Sequence, residues 1–156
     1  MPARYVAVAG SGVAPPADIE TAEAVGRLLA ERGIVVVCGG LGGVMEAACR
    51  GARSAGGATL GILPGADRAD ANPFVDFAVP TGLGEARNAL VVRACDALIA
   101  IGGAWGTLSE IALALRAGKR VVGVDTWELS RGGSPAPGII AAADPAEAVG
   151  LALGER

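Results

Sequence analysis

The residues best suited to chemistry in this chain are a threonine and a glutamate that follow a glycine-rich turn. Segment 101–110, IGGAWGTLSE, supplies Gly102, Gly103 and Gly106, with Thr107 placed to begin a helix. The apolar run before the turn predicts a buried strand, and helical spacing follows it. A helix that begins here directs free N–H groups and the positive end of its dipole at one point, which favours phosphate. Glu110, one turn into the helix, would add a carboxylate beside that phosphate.

The same residues also fit an ordinary helix start. Thr107 and Glu110 have the spacing of a capping box, in which each side chain satisfies a backbone N–H group of the other residue. The sequence of this helix supports capping and a ligand role equally.

Two further glycine-rich turns favour the ligand role. One follows the predicted strand 5–9 and the other follows the β-branched strand 34–38. Their residues are Gly10, Ser11 and Gly12 in the first turn, and Gly39, Gly40, Gly42 and Gly43 in the second. Open α/β sheets bind ligands at the carboxyl ends of their strands, so three such turns predict one shared site.

Known nucleotide-binding sequence motifs restrict the class of ligand that we expect. Neither the Gly10 turn nor the Gly40 turn completes G-x-G-x-x-G, and Cys38 ends the second strand where a dinucleotide site has a ribose-binding acid. The chain also lacks G-x-x-x-x-G-K-[ST]. We therefore expect a mononucleotide or a similar phosphorylated molecule.

An arginine and an asparagine open the next predicted helix, in segment 81–88, TGLGEARN. Arg87 lies in the first turn, an unfavourable place for a cation because of the helix dipole. It is either a surface residue, at a cost of a few tenths of a kcal/mol, or it reaches an anionic ligand or carboxylate in the cleft. Asn88 follows it as a candidate ligand contact.

Composition excludes several classes of function. The 156 residues are 52% hydrophobic and 19% charged, with a net charge of −3, 3% aromatics and no basic stripe. These values predict a well-buried α/β protein and argue against nucleic-acid binding. No apolar run has membrane-spanning length and no signal peptide is evident, so we expect a cytoplasmic protein.

The absence of histidine leaves acid–base chemistry to carboxylates. Cys38, Cys49 and Cys95 are scattered and form no C-x-x-C pair. They are typical of small buried residues, and the sequence predicts neither disulfides nor a metal site.

Strands alternate with helices along the whole chain, which predicts one Rossmann-like domain over residues 1–156 with a doubly wound, mostly parallel sheet and helices on both faces. Gly33 and Gly118 are expected just after helix ends, and Asp144 is an expected N-cap. The predicted strands are 5–9, 34–38, 58–63, 77–79, 97–101, 121–125 and 139–142. The predicted helices are 17–32, 44–55, 84–94, 107–117 and 145–153.

The glycine motifs together resemble the Lonely Guy (LOG) family, earlier labelled "lysine decarboxylase-like". Segment 102–110 resembles its P-G-G-x-G-T-x-x-E signature, and segment 39–45 is similar to its first glycine-rich segment. The resemblance implies hydrolysis of the N-glycosidic bond of a nucleoside 5′-monophosphate, with no required cofactor. It assigns catalysis to Glu110 and Arg87, and it implies a dimer or higher oligomer. Lysine decarboxylation is not expected.

Two departures from the signature open an alternative. Ile101 stands where the family has proline, and Asn88 replaces the lysine that follows the arginine. This variant is also similar to molybdenum-cofactor carrier proteins, which bind their ligand without hydrolysing it. The alternative function is therefore a non-catalytic carrier or sensor of a nucleotide or a molybdopterin-type cofactor.

The predicted helix 84–94 supports a homo-oligomer independently. Leu90, Val91 and Val92 follow one another, so the helix is apolar nearly all round and must be covered on both sides, by the core and by a partner chain. Core burial alone is the alternative. The expected partners are thus a small phosphorylated ligand and a second copy of the chain.

Overall fold

Seven parallel strands form the centre of the fold. The structure is a computed structural model that describes residues 4–155. The seven strands are β1 (Tyr5–Gly10), β2 (Val35–Cys38), β3 (Thr59–Leu63), β4 (Phe77–Pro80), β5 (Ala97–Ile101), β6 (Arg120–Val124) and β9 (Ile139–Ala141). Between β6 and β9 a separate short hairpin is formed by β7 (Ser130–Arg131) and β8 (Ser134–Pro135). They lie in the order β4-β3-β2-β1-β5-β6-β9, and every neighbouring pair is parallel. The predicted doubly wound α/β fold is confirmed.

Helices cover both faces of this sheet. They are α1 (Pro16–Glu31), α2 (Val44–Ser54), α3 (Asn88–Ala94), α4 (Trp105–Arg116) and α5 (Pro145–Leu153). Successive side chains of β1 point to opposite faces of the sheet. Val6 and Val8 pack with α1, α2 and α5, whereas Ala7 and Ala9 pack with α3 and α4. Buried hydrophobic residues make up both layers, so the sheet is covered on both sides, as parallel sheets require.

The order of the strands places a topological switch point between β1 and β5. From β1 the chain builds outward through β2, β3 and β4, and then returns to the other side of β1 as β5. Connections that leave adjacent strands in opposite directions open a crevice at the carboxyl edge of the sheet. The turns after β1 and β5 flank this crevice.

Most predicted boundaries are confirmed to within one or two residues. Gly33 and Gly118 adopt positive φ just after α1 and α4. Asp144 caps α5 by accepting a hydrogen bond from the Glu147 N–H group. Two predictions are wrong in detail: the predicted helix 84–94 is a 3₁₀ turn, Gly84–Arg87, followed by α3, and the helix predicted from Thr107 begins at Trp105.

The predicted all-round apolar helix is mostly a core element. Val91 and Val92 are buried in the layer beneath α3, whereas Leu90 is 39% exposed. Core burial therefore accounts for two of the three residues, and Leu90 alone is left for a partner to cover. Within residues 4–155, no helix combines the length and the apolar character needed to cross a membrane.

Glycines hold α1 and α2 in close contact. A methyl group on Gly26 would overlap the backbone carbonyl of Ala48, and one on Gly51 would overlap that of Glu23. The two helix backbones therefore touch directly at both positions. Because α2 follows the Gly39–Gly43 turn, this contact also fixes where that turn lies.

We expect Gly51→Ala to destabilise the protein by about 1–3 kcal/mol, because the added methyl must push α1 and α2 apart. Gly150→Ala is the matched control in α5, where a methyl group would meet only the flexible side chain of Glu155 at 3.7 Å. That control should be neutral or stabilising by up to about 1 kcal/mol. Urea unfolding of both variants measures the difference, and equal stability would contradict the close contact of the helices.

Candidate functional site

The turns after β1 and β2 are packed into one another. A Cβ on Gly10 would lie 2.5 Å from Val44, and Gly43, at φ +62°, fits against the Ser11 carbonyl. The Val44 N–H group donates to that carbonyl at 3.0 Å. Any side chain larger than hydrogen at Gly10 or Gly43 would push the two turns apart. Glycine at both positions therefore allows the turns to pack together.

Arg87 lies beneath the turn after β2 and is only 9% exposed. Its Nε–H donates to the carbonyl of Ile62 at 2.9 Å, one terminal nitrogen donates to the carbonyl of Gly39 at 3.4 Å, and the other donates to Asn88 Oδ1. A Cβ on Gly39 would lie 2.6 Å from the guanidinium, so this glycine makes room for it. The arginine predicted to reach into the cleft is therefore held mainly by backbone carbonyls.

Asn88 connects this arginine to the start of α4. Its Nδ2 donates to Ser109 Oγ at 2.8 Å, and that hydroxyl donates to the carbonyl of Gly106 at 2.7 Å. Both ends of the Asn88 amide are thus used within the protein, and the side chain is 5% exposed. Asn88 thus positions α4 relative to Arg87. It also lines a cavity of about 520 Å³ together with Gly106, and its contact with a ligand stays a prediction.

The turn after β5 leads into α4 without the predicted capping box. The N-cap is Ala104, which offers no side-chain acceptor, and Thr107 is the third residue of the helix. A Cβ on Gly103 would lie 2.5 Å from the Thr107 side chain, which covers that turn. The first helical bond runs from Leu108 N–H to Ala104 O, so the preceding N–H groups lie outside the helical ladder and face the turn.

Glu110 is a buried carboxylate that makes no hydrogen bond to any described residue. It is 9% exposed and belongs to no ion pair within residues 4–155. Loss of hydration raises its pKa to about 7, although the positive charge of Arg87 acts in the opposite direction. A carboxyl group with this pKa can hold or release a proton near neutral pH.

The largest cavity at this edge lies in the crevice between β1 and β5. It encloses about 630 Å³. Three predicted residues, Ser11, Gly102 and Gly103, line it, and so do residues that the sequence analysis missed: Val13, Pro15, Asp18, Ala104, Asp125, Thr126, Trp127 and Glu128. Asp125 is the last residue of the predicted strand 121–125. Its place at the carboxyl end of a strand was the signal that could have identified it as a residue of the cavity.

The cavity is acidic, and one of its carboxylates lies against the turn after β5, because a Cβ on Gly102 would overlap the carboxylate of Asp18. Asp18, Asp125 and Glu128 line it, and no lysine or arginine does. Partial burial, and then the charge of Asp125, raise the pKa of Asp18. Carboxylates of this kind accept hydrogen bonds from N–H or O–H groups of a ligand, whereas the turn beside α4 presents N–H donors to an anion.

Aromatic and loop residues complete the walls. Trp127 donates from Nε1 to the carbonyl of Ala104 at 3.2 Å, and its ring lies 5.0 Å from that of Trp105. Thr126 Oγ1 donates to the carbonyl of Gly102 at 2.5 Å. The loop after β6 thus binds the turn after β5 and covers part of the cleft.

The turn after β2 is held from the other side by Asn72. Its N–H donates to Gly40 O at 2.9 Å and its Nδ2 donates to Leu41 O at 2.9 Å. Gly42 lies against the carbonyl of Gly12, where a Cβ would be 3.4 Å away. The predicted glycines of this turn are therefore positioned by the neighbouring loops, and they are not among the residues that line the 630 Å³ cavity.

The pKa of Glu110 predicts a pH dependence of stability. Because its folded-state pKa of about 7 lies above its ordinary value of 4.5, the folded protein binds the proton more tightly between these values. The free energy of unfolding should therefore fall as pH rises through this window. Glu110→Gln removes the effect, so its stability relative to wild type should increase by up to about 3 kcal/mol between about pH 5 and about pH 8.

Denaturant unfolding of both proteins at the two pH values measures this change. Glu85→Gln is the matched control, because Glu85 is exposed on the neighbouring 3₁₀ turn. A constant difference between wild type and Glu110→Gln across the pH range would show that Glu110 is hydrated and not buried.

Comparison with known proteins finds close structural similarity over the whole described fold. A molybdenum cofactor binding protein from Rippkaea orientalis is 36% identical, with a TM-score of 0.89 over 99% of this chain and 98% of that one. A molybdenum cofactor carrier protein from Chlamydomonas reinhardtii is 31% identical, with a TM-score of 0.83 over 98% of each chain. Both similarities extend over the glycine turns and the cavity.

Sequence comparison gives the family. An uncharacterized protein of Archaeoglobus fulgidus is 47% identical over 116 residues, which are 74% of this chain and 76% of that protein. The sequence model of the SLOG cluster4 family matches residues 3–149. The LOG-type motifs quoted above lie within this range, and the chain belongs to the SLOG cluster4 family.

Proposed function

We propose that this protein binds and carries a molybdopterin-type cofactor, a pterin that bears a phosphate. The observation that carries the proposal is the 630 Å³ cavity at the switch point, which is lined by the turn that leads into α4, by the carboxylates of Asp18 and Asp125 and by the ring of Trp127. Two structural relatives above 30% identity are described as binding or carrying molybdenum cofactor, which supports the same ligand. The alternative function inferred from the sequence, a carrier, is thus the better supported one.

The two ends of the cavity suit the two ends of such a ligand. The phosphate would lie at the start of α4, on the side of Ala104 and Trp105, where N–H groups outside the helical ladder and the helix dipole favour an anion. The side at Gly102 is occupied by the carboxylate of Asp18. The pterin edge carries N–H donors, and Asp18 and Asp125 would accept them. Trp127 offers an aromatic wall beside the ring. In this arrangement Arg87 and Asn88 act as positioning residues for the turns.

Asp125→Asn tests the acidic end. Loss of one charged hydrogen bond should weaken binding of phosphorylated pterin about tenfold or more, because such bonds contribute about 1.5–3 kcal/mol. Quenching of pterin fluorescence on titration with protein measures the dissociation constant, with molybdopterin released from a molybdoenzyme as the probe. Glu20→Gln on α1 is the control, since Glu20 is exposed and lies outside the cavity lining. Equal affinity of wild type and Asp125→Asn would contradict the proposed placement.

A second candidate function, hydrolysis of a nucleoside 5′-monophosphate, is favoured by one observation. Glu110 is a buried carboxylate without a hydrogen-bond partner in the described chain, and its pKa of about 7 suits proton transfer. The carboxylates of Asp18, Asp125 and Glu128 line the 630 Å³ cavity, whose lining does not include Glu110. Glycoside hydrolysis ordinarily uses two carboxylates that flank the scissile bond, which leaves this candidate weaker.

Incubation with AMP decides between carriage and hydrolysis. A carrier should release no adenine or ribose 5-phosphate above the uncatalysed rate, as measured by chromatography, in wild type or in Glu110→Gln. Release by wild type that disappears in Glu110→Gln, with folding intact, would establish the hydrolase instead. The amide cannot supply the negative charge that an oxocarbenium-like transition state needs.

We also propose that a second copy of the chain packs on α3 and α4. Leu90 is 39% exposed on α3. Beside it, a groove of about 410 Å³ between the two helices is lined by Val92 and Leu113 and, at its polar side, by Arg93 and Arg116. We expect a dimer by light scattering at micromolar concentration. Leu90→Glu should yield monomers, because it places a charge in an apolar contact.

Ile140→Glu provides a control of equal exposure, 39%, on the edge strand β9. It should leave the dimer intact. A monomeric wild type, or a dimer that survives Leu90→Glu, would contradict this interface.

A further inference from the structure

Two cysteines and a methionine pack together beneath the turn after β2. The thiols of Cys38, at the end of β2, and Cys49, on α2, are 3.5 Å apart and share a hydrogen bond. Met45 packs with both in one buried cluster, and its sulfur would lie 2.9 Å from a Cβ on Gly39. Both cysteines are completely buried, and the side chains around the cluster are apolar: Leu41, Phe74 and Val75.

Each thiol also has a polar neighbour suited to its ionised form. The Gly40 N–H group donates to Cys38 Sγ at 3.3 Å. The hydrogen bond from Cys49 and that from Gly40 lower the pKa of Cys38 against the effect of burial. The pKa of Cys49 is raised, first by its hydrogen bond to Cys38 and by burial, and the amide of Asn72 acts in the opposite direction. N–H groups directed at sulfur stabilise thiolates, as they do around metal-bound sulfur.

We propose that Cys38 and Cys49 bind a Cu(I) ion, with Met45 as the third ligand. Thiolate and thioether sulfurs are soft ligands that select Cu(I), whereas the harder divalent ions prefer oxygen or imidazole nitrogen. Metal–sulfur bonds of about 2.3 Å place two sulfurs of a trigonal site about 4.0 Å apart. The thiols at 3.5 Å need to separate by only about half an ångström to reach that geometry.

The charge balance of the site is favourable. Binding transfers the two thiol protons to solvent and forms two copper–sulfur bonds, so two thiolates and one Cu(I) carry a net charge of −1. Two charges act on Cys38: the carboxyl group of Glu110 raises the pKa of that thiol, and the guanidinium of Arg87, which donates to the carbonyl of Gly39 next to Cys38, lowers it. The buried cation offsets the remaining negative charge most fully when Glu110 is protonated.

Met45 gives the ion a route from the surface. Its side chain is 9% exposed, and its terminal methyl would lie 4.0 Å from a Cβ on Gly12, which is exposed in the turn after β1. A thioether that spans from an exposed turn to a buried thiol pair can pass a soft ion inward by ligand exchange. The site is separate from the 630 Å³ cavity, whose lining includes none of the three sulfur residues, so it is independent of the proposed carrier function.

Competition for Cu(I) tests the proposal. The full-length chain, reduced and kept under anaerobic conditions, is titrated into the coloured Cu(I) complex of bicinchoninate, and the loss of absorbance reports copper transferred to the protein. Wild type should withdraw one Cu(I) per chain. Cys38→Ala and Cys49→Ala should each abolish this transfer, and Met45→Leu should lower the affinity without abolishing binding.

Cys95→Ala is the matched control. Cys95 is equally buried, but its thiol donates to the carbonyl of Val92 at 3.3 Å and it belongs to the layer of α3 and α4. This variant should bind copper as wild type does. Loss of binding in Cys95→Ala, or full binding in Cys38→Ala, would overturn the proposal.

X-ray absorption spectroscopy of copper-loaded wild type identifies the copper ligands, and it does not depend on whether any variant folds. The proposal requires a shell of two or three sulfurs and no nitrogen or oxygen ligand. A shell of nitrogen and oxygen, no uptake by the reduced protein, or formation of a Cys38–Cys49 disulfide in place of bound copper would each refute it.

Discussion

A single buried guanidinium holds the ligand edge of this sheet together. Arg87 donates to the backbone carbonyls that end β3 and begin the turn after β2, and it reaches α4 through Asn88 and Ser109. A buried charge is tolerated only when it is fully hydrogen-bonded, so these acceptors must stay where they are. The lack of a side chain at Gly39 follows from the same constraint, because the guanidinium occupies the space that a Cβ would need. Loss of this arginine would leave the carbonyls of Ile62 and Gly39 and the side-chain oxygen of Asn88 without this donor.

The same arrangement explains why Glu110 remains unpaired. Arg87 is close enough to lower the pKa of Glu110 by its charge, yet its donors are directed at Ile62, Gly39 and Asn88. Burial without a partner raises the pKa of a carboxyl group, and the folding free energy that it costs grows as the pH rises from the ordinary pKa to the raised one. Buried carboxyl groups that lack a hydrogen-bond partner are often found at ligand-binding sites, because a ligand or a proton can supply the missing partner.

The sequence was sufficient to predict the sheet and the edge where the site lies. Glycine turns after β-branched strands, alternating with amphipathic helices, allow few topologies, and parallel strands bring those turns to one edge. The start of α4 was missed by two residues because Gly106 is usually a turn residue, whereas here it is helical and Ala104 is the N-cap. The acidic end of the cavity was missed for a different reason. Asp18 and Asp125 are more than a hundred positions apart, and only the return of the chain from β4 to β5 makes them neighbours of Gly102.

The opposite character of the two ends of the cavity restricts what the site can hold. The carboxylates of Asp18 and Asp125 repel a free phosphate, so inorganic phosphate alone would gain from the N–H groups of α4 and lose at the acidic end. A ligand with an anionic group and a separate edge of N–H donors gains at both ends. An adenine nucleotide has one amino group to offer, whereas a pterin presents an amino group beside a ring N–H, and two adjacent donors match two carboxylates better than one does. This match of donors to carboxylates is the physical reason for proposing a phosphorylated pterin in preference to an adenosine monophosphate.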